Sequence, residues 1–233
     1  MKNSSLELWS ILKQLLADRE HLHLLEAGCG SFCRVPADDR ITITGIDISE
    51  KQLERNRQLD IKILGDIQNY SFSEETYDVI ACRFVLEHLR EPARAMENLH
   101  KALKKGGIMI ITVPNLFSLK GLVTKFTPFW FHAFFYRHIY FWEGEHEDDL
   151  GPFKTYLRTS MTPSALKRFA RKNNMEIVHV KYYDVLDYGI GDKLRKVGSW
   201  LYWAAKSLFT FLKIITFCRI RESDFLAVFQ KKA

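Results

Sequence analysis

Short apolar runs alternate with helical stretches along the first 115 residues. Residues 5–19 set Leu8, Ile11, Leu12 and Leu15 on one helical face. The run Leu22–Ala27 ends in Gly28-Cys29-Gly30, and the run Ile41–Ile46 ends in Asp47. Ser49 then reads as a helix N-cap, with Gln52 as its capping-box partner. Ile61–Leu64 ends in Gly65-Asp66, and Tyr77–Cys82 precedes a helix that Pro92 starts and Gly106-Gly107 stops. Ile108–Val113 closes on Pro114. Runs of this length separated by helices predict a parallel sheet with helices on both faces.

Ligands of such sheets bind outside the carboxyl ends of the strands, where strand order reverses. Glu26, Gly28, Gly30, Asp47, Asp66, Arg83, Glu87 and His88 all fall at predicted strand ends. Gly28 and Gly30 permit a tight turn and close approach to a ligand. Asp47, 17 residues after Gly30, is placed to accept hydrogen bonds from a ribose diol; the alternative is a simple helix cap. A dinucleotide is disfavoured. The third glycine of the G-x-G-x-x-G fingerprint is Cys33, and only residues 31–40, including Pro36, separate Gly30 from the second strand. A nucleoside ligand without phosphates suits this loop better. Tyr202-x-x-x-Lys206 matches a short-chain dehydrogenase pattern but lies far past the fifth strand, and reads as coincidence.

The motifs Leu24-Leu-Glu-Ala-Gly-Cys-Gly30, Thr44-Gly-Ile-Asp-Ile-Ser49, Leu64-Gly-Asp-Ile67, Tyr77-Asp-Val-Ile80, Leu86-Glu-His-Leu89 with Pro92, and Leu103-Lys-Lys-Gly-Gly107 occur in this order. The chain thereby resembles the class I S-adenosylmethionine-dependent methyltransferases, in particular the small-molecule type 11 group that includes ubiquinone-pathway O-methyltransferases. The likeness covers residues 22–115 and resumes at Arg158-Thr-Ser-Met-Thr-Pro163 with its following helix. It implies a Rossmann-like α/β fold with a seven-stranded, mostly parallel sheet, Glu176–Tyr183 and Asp224–Gln230 forming the last two strands. It also implies roles. Gly28 and Gly30 pass under the methionine part of S-adenosylmethionine, and Glu26 fixes its amino group. Asp47 holds the ribose hydroxyls and Ile48 packs on the adenine. Asp66 accepts from the adenine amino group, with Ile67 beside the ring, and Arg83 pairs the carboxylate. Arg83 as a surface charge and Ile67 as a core side chain are the plain alternatives. The product is S-adenosylhomocysteine. His88 is the candidate general base, with a structural role in its loop as the alternative. Some relatives bind a metal through Glu-x-x-Glu-His; here the first position is Phe84, so no metal is expected.

Charge and aromatic content change the picture of the second half. Of the 233 residues, 1–115 hold 15 basic and 17 acidic side chains, whereas 116–233 hold 19 and 11, so all the excess positive charge is there. Residues 116–142 carry 11 aromatic and three basic residues and no acid, inside an expected lid or acceptor insertion at 116–157. His132, Tyr136 and His138 are further base candidates, and Glu143–Asp149 reads as a solvated acidic loop. Residues 194–221 carry six basic side chains and no acid, with Arg195, Ser199, Lys206, Thr210 and Lys213 as one polar stripe on an otherwise apolar helix. Lys206 and Lys213 interrupt every window long enough to cross a bilayer, so an interfacial helix is expected, with a homodimer interface as the alternative.

Four cysteines in a chain of this length suggest a reduced, intracellular protein, and the first residues lack a secretory signal pattern. The expectation is one methyltransferase domain over 1–233, cytoplasmic or peripheral to a membrane. It would methylate a hydrophobic small molecule (a lipid, quinone or aromatic natural product), at oxygen in preference to carbon or nitrogen. A non-catalytic binding or membrane-recruitment protein and a soluble dimeric natural-product methyltransferase are the rival readings. The positive charge is interleaved with too much aliphatic surface for nucleic acid.

Overall fold

The computed structural model describes residues 10–14, 17, 19–33, 38–118, 121, 127–128, 130, 153–156, 158–184, 195–196, 198–215 and 222–233. Most of the insertion 116–157, with His132, Tyr136, His138 and the acidic stretch 143–149, lies outside the described residues, as do Leu8, Leu15 and Pro36.

Seven strands form one sheet in the order β3-β2-β1-β4-β5-β7-β6. They are β1 (Leu22–Ala27), β2 (Ile41–Asp47), β3 (Ile61–Leu64), β4 (Tyr77–Arg83), β5 (Leu103–Pro114), β6 (Met175–Tyr183) and β7 (Asp224–Lys231). The helices are α1 (Glu50–Arg55), α2 (Pro92–Ala102), α3 (Pro163–Lys172) and α4 (Ser199–Ile215). β1 pairs in parallel with both β2 and β4, and β4 with β5. The chain runs from β1 outward to β3 on one side and from β4 to β5 on the other. The order therefore reverses between β1 and β4, the place where a ligand crevice opens at the carboxyl ends.

Central position explains composition. β4 is buried at every residue and β1 at all but His23, as expected for strands covered on both faces. The four-residue β3 is an exposed edge. β7 runs antiparallel to β5: Asn115 N–H donates to the Ser223 carbonyl at one end, and Lys231 Nζ donates to the Leu103 carbonyl at the other. Pro92 occupies the first turn of α2, whose Ala95, Met96, Leu99 and Ala102 are buried at helical spacing.

One boundary departs from the sequence expectation. α2 ends at Ala102, ahead of Gly106-Gly107, and β5 begins at Leu103. Leu103 pairs with Tyr77 but Ile108 pairs with Val79, so the extra residues form a bulge inside the strand. Lys104 Nζ, held 2.9 Å from Asp78 Oδ2, and Gly106 at φ +73° accommodate that bulge. Arg83, expected just past the fourth strand, is its last residue.

The chain divides into two compact units. Lys2–Val113, Arg158–Val180 and Leu226–Ala233 make one, which contains every cofactor-site candidate. Pro114–Leu157 and Lys181–Phe225 belong to the other. In the latter, Ser118 Oγ donates to the Asn115 carbonyl at 2.7 Å and accepts from Gly121 N–H at 2.8 Å.

Candidate active site

The site is built on the ends of β1, β2 and β4. Glu26, one residue before the end of β1, is 6% exposed, and Arg83 at the end of β4 is 9% exposed. Arg83 Nη2 donates to Glu26 Oε1 at 2.6 Å across the β1–β4 crevice. Cys33 Sγ donates to Glu26 Oε2 at 3.6 Å. Arg83 Nε and Nη1 are buried with no hydrogen-bond partner among the described residues. A buried ion pair is a poor source of stability, and unsatisfied guanidinium donors add several tenths to a few kcal/mol of cost, roughly. An arrangement kept at that cost points to a ligand that completes it.

The glycine loop lies beside this pair. Gly28 and Gly30 have φ +71° and +57°, which favour glycine over any residue with a side chain. A Cβ at Gly28 would stand 2.3 Å from Val85 Cγ2, and one at Gly30 would stand 2.8 Å from Gln52 Oε1. The loop is fastened by Gly28 N–H to the Ile46 carbonyl and by Asn56 Nδ2 to the Gly30 carbonyl. Asp47 closes it from β2: Oδ2 accepts from Gly30 N–H at 2.9 Å and Oδ1 from Ser49 N–H at 3.0 Å. Each oxygen keeps acceptor capacity for a further donor.

That Asp47 bond revises the expected capping box. Ser49 is the N-cap and accepts from Gln52 N–H at 3.3 Å, but its own N–H goes to Asp47. The Gln52 amide oxygen stands over Gly30 instead.

Asp66 follows β3 and is held by its neighbours: Gln68 donates to it through N–H and Nε2, and Asn69 through Nδ2. Ile67 is 5% exposed, whereas Ile48 is 72% exposed and offers a free apolar face. His88 is half-buried in a 3₁₀ turn, Leu86–His88, and its N–H donates to the Val85 carbonyl. Since Val85 packs on Gly28, the His88 turn abuts the glycine loop. Phe84, between Arg83 and that turn, has φ +58°, a conformation bulky side chains rarely adopt outside constrained sites.

Burial, followed by the Asp47 and Glu26 carboxylates, pushes the Cys29 thiol up to about 12, so it stays protonated and inert. Cys33, Gln52, Asn56, Val85 and Gln68 were not singled out by sequence as site residues. No motif marks them as site residues, because their roles come from the atoms they face.

The geometry combines a buried carboxylate–guanidinium pair at the switch point, a glycine cradle and an acid at the end of β2. The family described as "Methyltransferase domain" matches residues 5–180. The chain belongs to that family. Over 99 residues it is 28% identical to phosphatidylethanolamine N-methyltransferase of Cereibacter sphaeroides, covering 38% of this chain and 48% of that one. Over 102 residues it is 28% identical to ubiquinone biosynthesis O-methyltransferase of Coxiella burnetii, covering 40% and 44%. The chain thus spans less than half the length of these curated relatives. An S-adenosylmethionine-dependent methyltransferase structure from Mesorhizobium loti superposes with a TM-score of 0.57 at 15% identity, over 95% of this chain and 96% of that one. The fold of this methyltransferase-domain protein is therefore that of the S-adenosylmethionine-dependent enzymes, and S-adenosylmethionine is the cofactor of that class. The donors present fit it. An ammonium and a carboxylate on one carbon match Glu26 and the two open Arg83 nitrogens, and a diol matches Asp47.

Proposed function

We propose that this protein transfers the methyl group of S-adenosylmethionine to an oxygen of a hydrophobic small molecule, leaving S-adenosylhomocysteine. The observation that carries the reading is the Glu26–Arg83 pair with two buried donors open beside the glycine loop. Arg83 takes the methionine carboxylate and Glu26 its ammonium. Gly28 and Gly30 let the backbone run beneath that part of the cofactor. Asp47 accepts from the ribose hydroxyls while its backbone bonds hold it in place. Ile48 covers one adenine face and Ile67 lies at the ring's edge. Asp66 accepts from the adenine amino group, displacing one of its present side-chain donors.

When bound, the cofactor supplies an already activated methyl on a sulfonium leaving group. The chain's work is then to align the acceptor oxygen in line with that methyl and to exclude water. His88 takes the acceptor's proton on a turn that the Val85–Gly28 contact sets against the glycine loop.

The aromatic, acid-free stretch 116–142 supports a hydrophobic acceptor. So does the naming of the Coxiella relative as a ubiquinone biosynthesis O-methyltransferase, which also supports oxygen as the atom methylated. Basic, aromatic residues at 194–221 support work at a membrane surface. Among the described residues no helix is long and apolar enough to cross a membrane.

The test is incubation with methyl-labelled S-adenosylmethionine and a cell extract, followed by partition between organic and aqueous phases. Label in the organic phase, lost in Asp47→Ala and reduced in His88→Ala, supports the reading. Label only in the aqueous phase removes the hydrophobic acceptor. Absence of both transfer and cofactor binding leaves a non-catalytic protein on this fold.

A further inference from the structure

α4 carries four large apolar side chains exposed on its surface. Trp200, Trp203, Leu208 and Phe211 are 70%, 61%, 58% and 57% exposed. At about 100° per residue they lie within an arc of about 140° on one face of the helix. Tyr202, on the opposite face, is buried at 6%. Exposed tryptophans clustered on one helix face mark a docking surface rather than a solvated one.

A cation borders this ridge on one side. The Lys206 ammonium donates to Tyr202 Oη at 3.2 Å and lies 5.8 Å from the Trp203 ring centre. The Arg195 guanidinium stacks 4.1 Å from the Tyr202 ring centre. The Lys206 hydrogen bond, ahead of other contributions from Arg195 and Lys206, holds the Tyr202 phenol below its ordinary value. Tyr202 and Lys206 are thus in contact one helical turn apart.

We infer that this face of α4 docks in the plane of an anionic lipid bilayer. The ridge enters the acyl boundary, and Lys206 beside it meets phosphate headgroups. The inference deepens the membrane part of the proposed function by naming its surface. Tryptophan suits the headgroup boundary because its ring is apolar and its N–H polar. Lysine lays its stem along apolar surface and carries its charge to the headgroups. The seventeen described residues of α4 span about 25 Å, less than the ~30 Å hydrocarbon core, which suits a helix lying in the interface. A second copy of the chain fits less well. A two-fold contact would set each ridge, with the Lys206 ammonium beside it, against the same positive charge. Anionic lipid complements that charge.

Co-sedimentation of the full chain with phosphatidylcholine vesicles, with and without phosphatidylglycerol, tests this. Binding to the anionic vesicles, reduced about tenfold or more in Trp203→Glu/Leu208→Glu and weakened by salt, is the expected result. Lys206→Glu should weaken binding to anionic vesicles and leave binding to neutral ones unchanged. No vesicle binding overturns the inference, as does equal binding by the double variant. So does a dimer in solution that the double variant breaks, without vesicle binding. Calorimetric titration of S-adenosylmethionine, run on the same proteins without lipid, reads the cofactor site separately. Cofactor binding without vesicle binding removes only the membrane surface, and the converse removes only the methyl-transfer reading.

Discussion

Arg83 has one N–H group on Glu26 and two buried donors open to a ligand. Its removal has two consequences of different kinds. Arg83→Met leaves the Glu26 carboxylate buried without its cation, which costs about 3–5 kcal/mol of stability. It also deletes the donors proposed for the cofactor's carboxylate. The double variant Glu26→Gln/Arg83→Met removes both charges and should recover most of the lost stability. It should not recover cofactor affinity, which in the proposed reading depends on both charges. Thermal melting alongside calorimetric titration of S-adenosylmethionine separates the two effects. Recovery of affinity in the double variant would mean that the pair is only structural.

Asp78 shows how one buried acid joins three elements, away from the site. At the start of β4, it accepts from His23 N–H on β1 and from Lys104 in the β5 bulge, and it pairs with Arg19. Burial pushes its carboxyl up, but the His23 N–H, Lys104 and Arg19 outweigh it and hold the carboxyl below the ordinary value. A depressed folded-state value means that its contribution to stability is full above the unfolded value, about 3.9, and is lost as pH falls through the folded one. Asp78→Asn should therefore cost about 2 kcal/mol near neutral pH and flatten the acid limb of a urea-midpoint profile. An unchanged acid limb would place the acid sensitivity elsewhere. Lys104 also explains what the sequence hides. Lys104-Lys105-Gly106-Gly107 has the composition of a helix stop, and only the pairing of Leu103 with Tyr77 shows that the strand has already begun. Apolar runs and strand-end acids were legible because they follow local periodicity. The Cys33 and Asn56 contacts were not, since their partners are fixed by how loops close over the sheet.

The fold closes from its carboxyl end. Lys231, last residue of β7, donates to the Leu103 carbonyl at 2.7 Å and the His100 carbonyl at 3.2 Å. It thereby caps α2 across at least 128 positions of sequence. The same ammonium acts on the His100 imidazole. Burial, then the Lys231 charge, lowers the His100 value below 6.5, against a smaller opposing bond from Asn173. Because the folded value is the lower one, the unfolded chain binds the proton more readily between the two. The contribution is complete above about pH 6.5 and is lost as pH falls through the folded value. Lys231→Met should lower stability at pH 8 by about 1–2 kcal/mol, by leaving the α2 carbonyls without their donor. It should also let the His100 value rise toward its ordinary one, so that stability falls less steeply from pH 7 to pH 5 than in the native chain. Urea unfolding at several pH values measures both effects at once. Parallel pH profiles would show that burial alone sets His100. A shallower slope on a lower plateau would show that the strand closing the sheet also tunes the helix it caps.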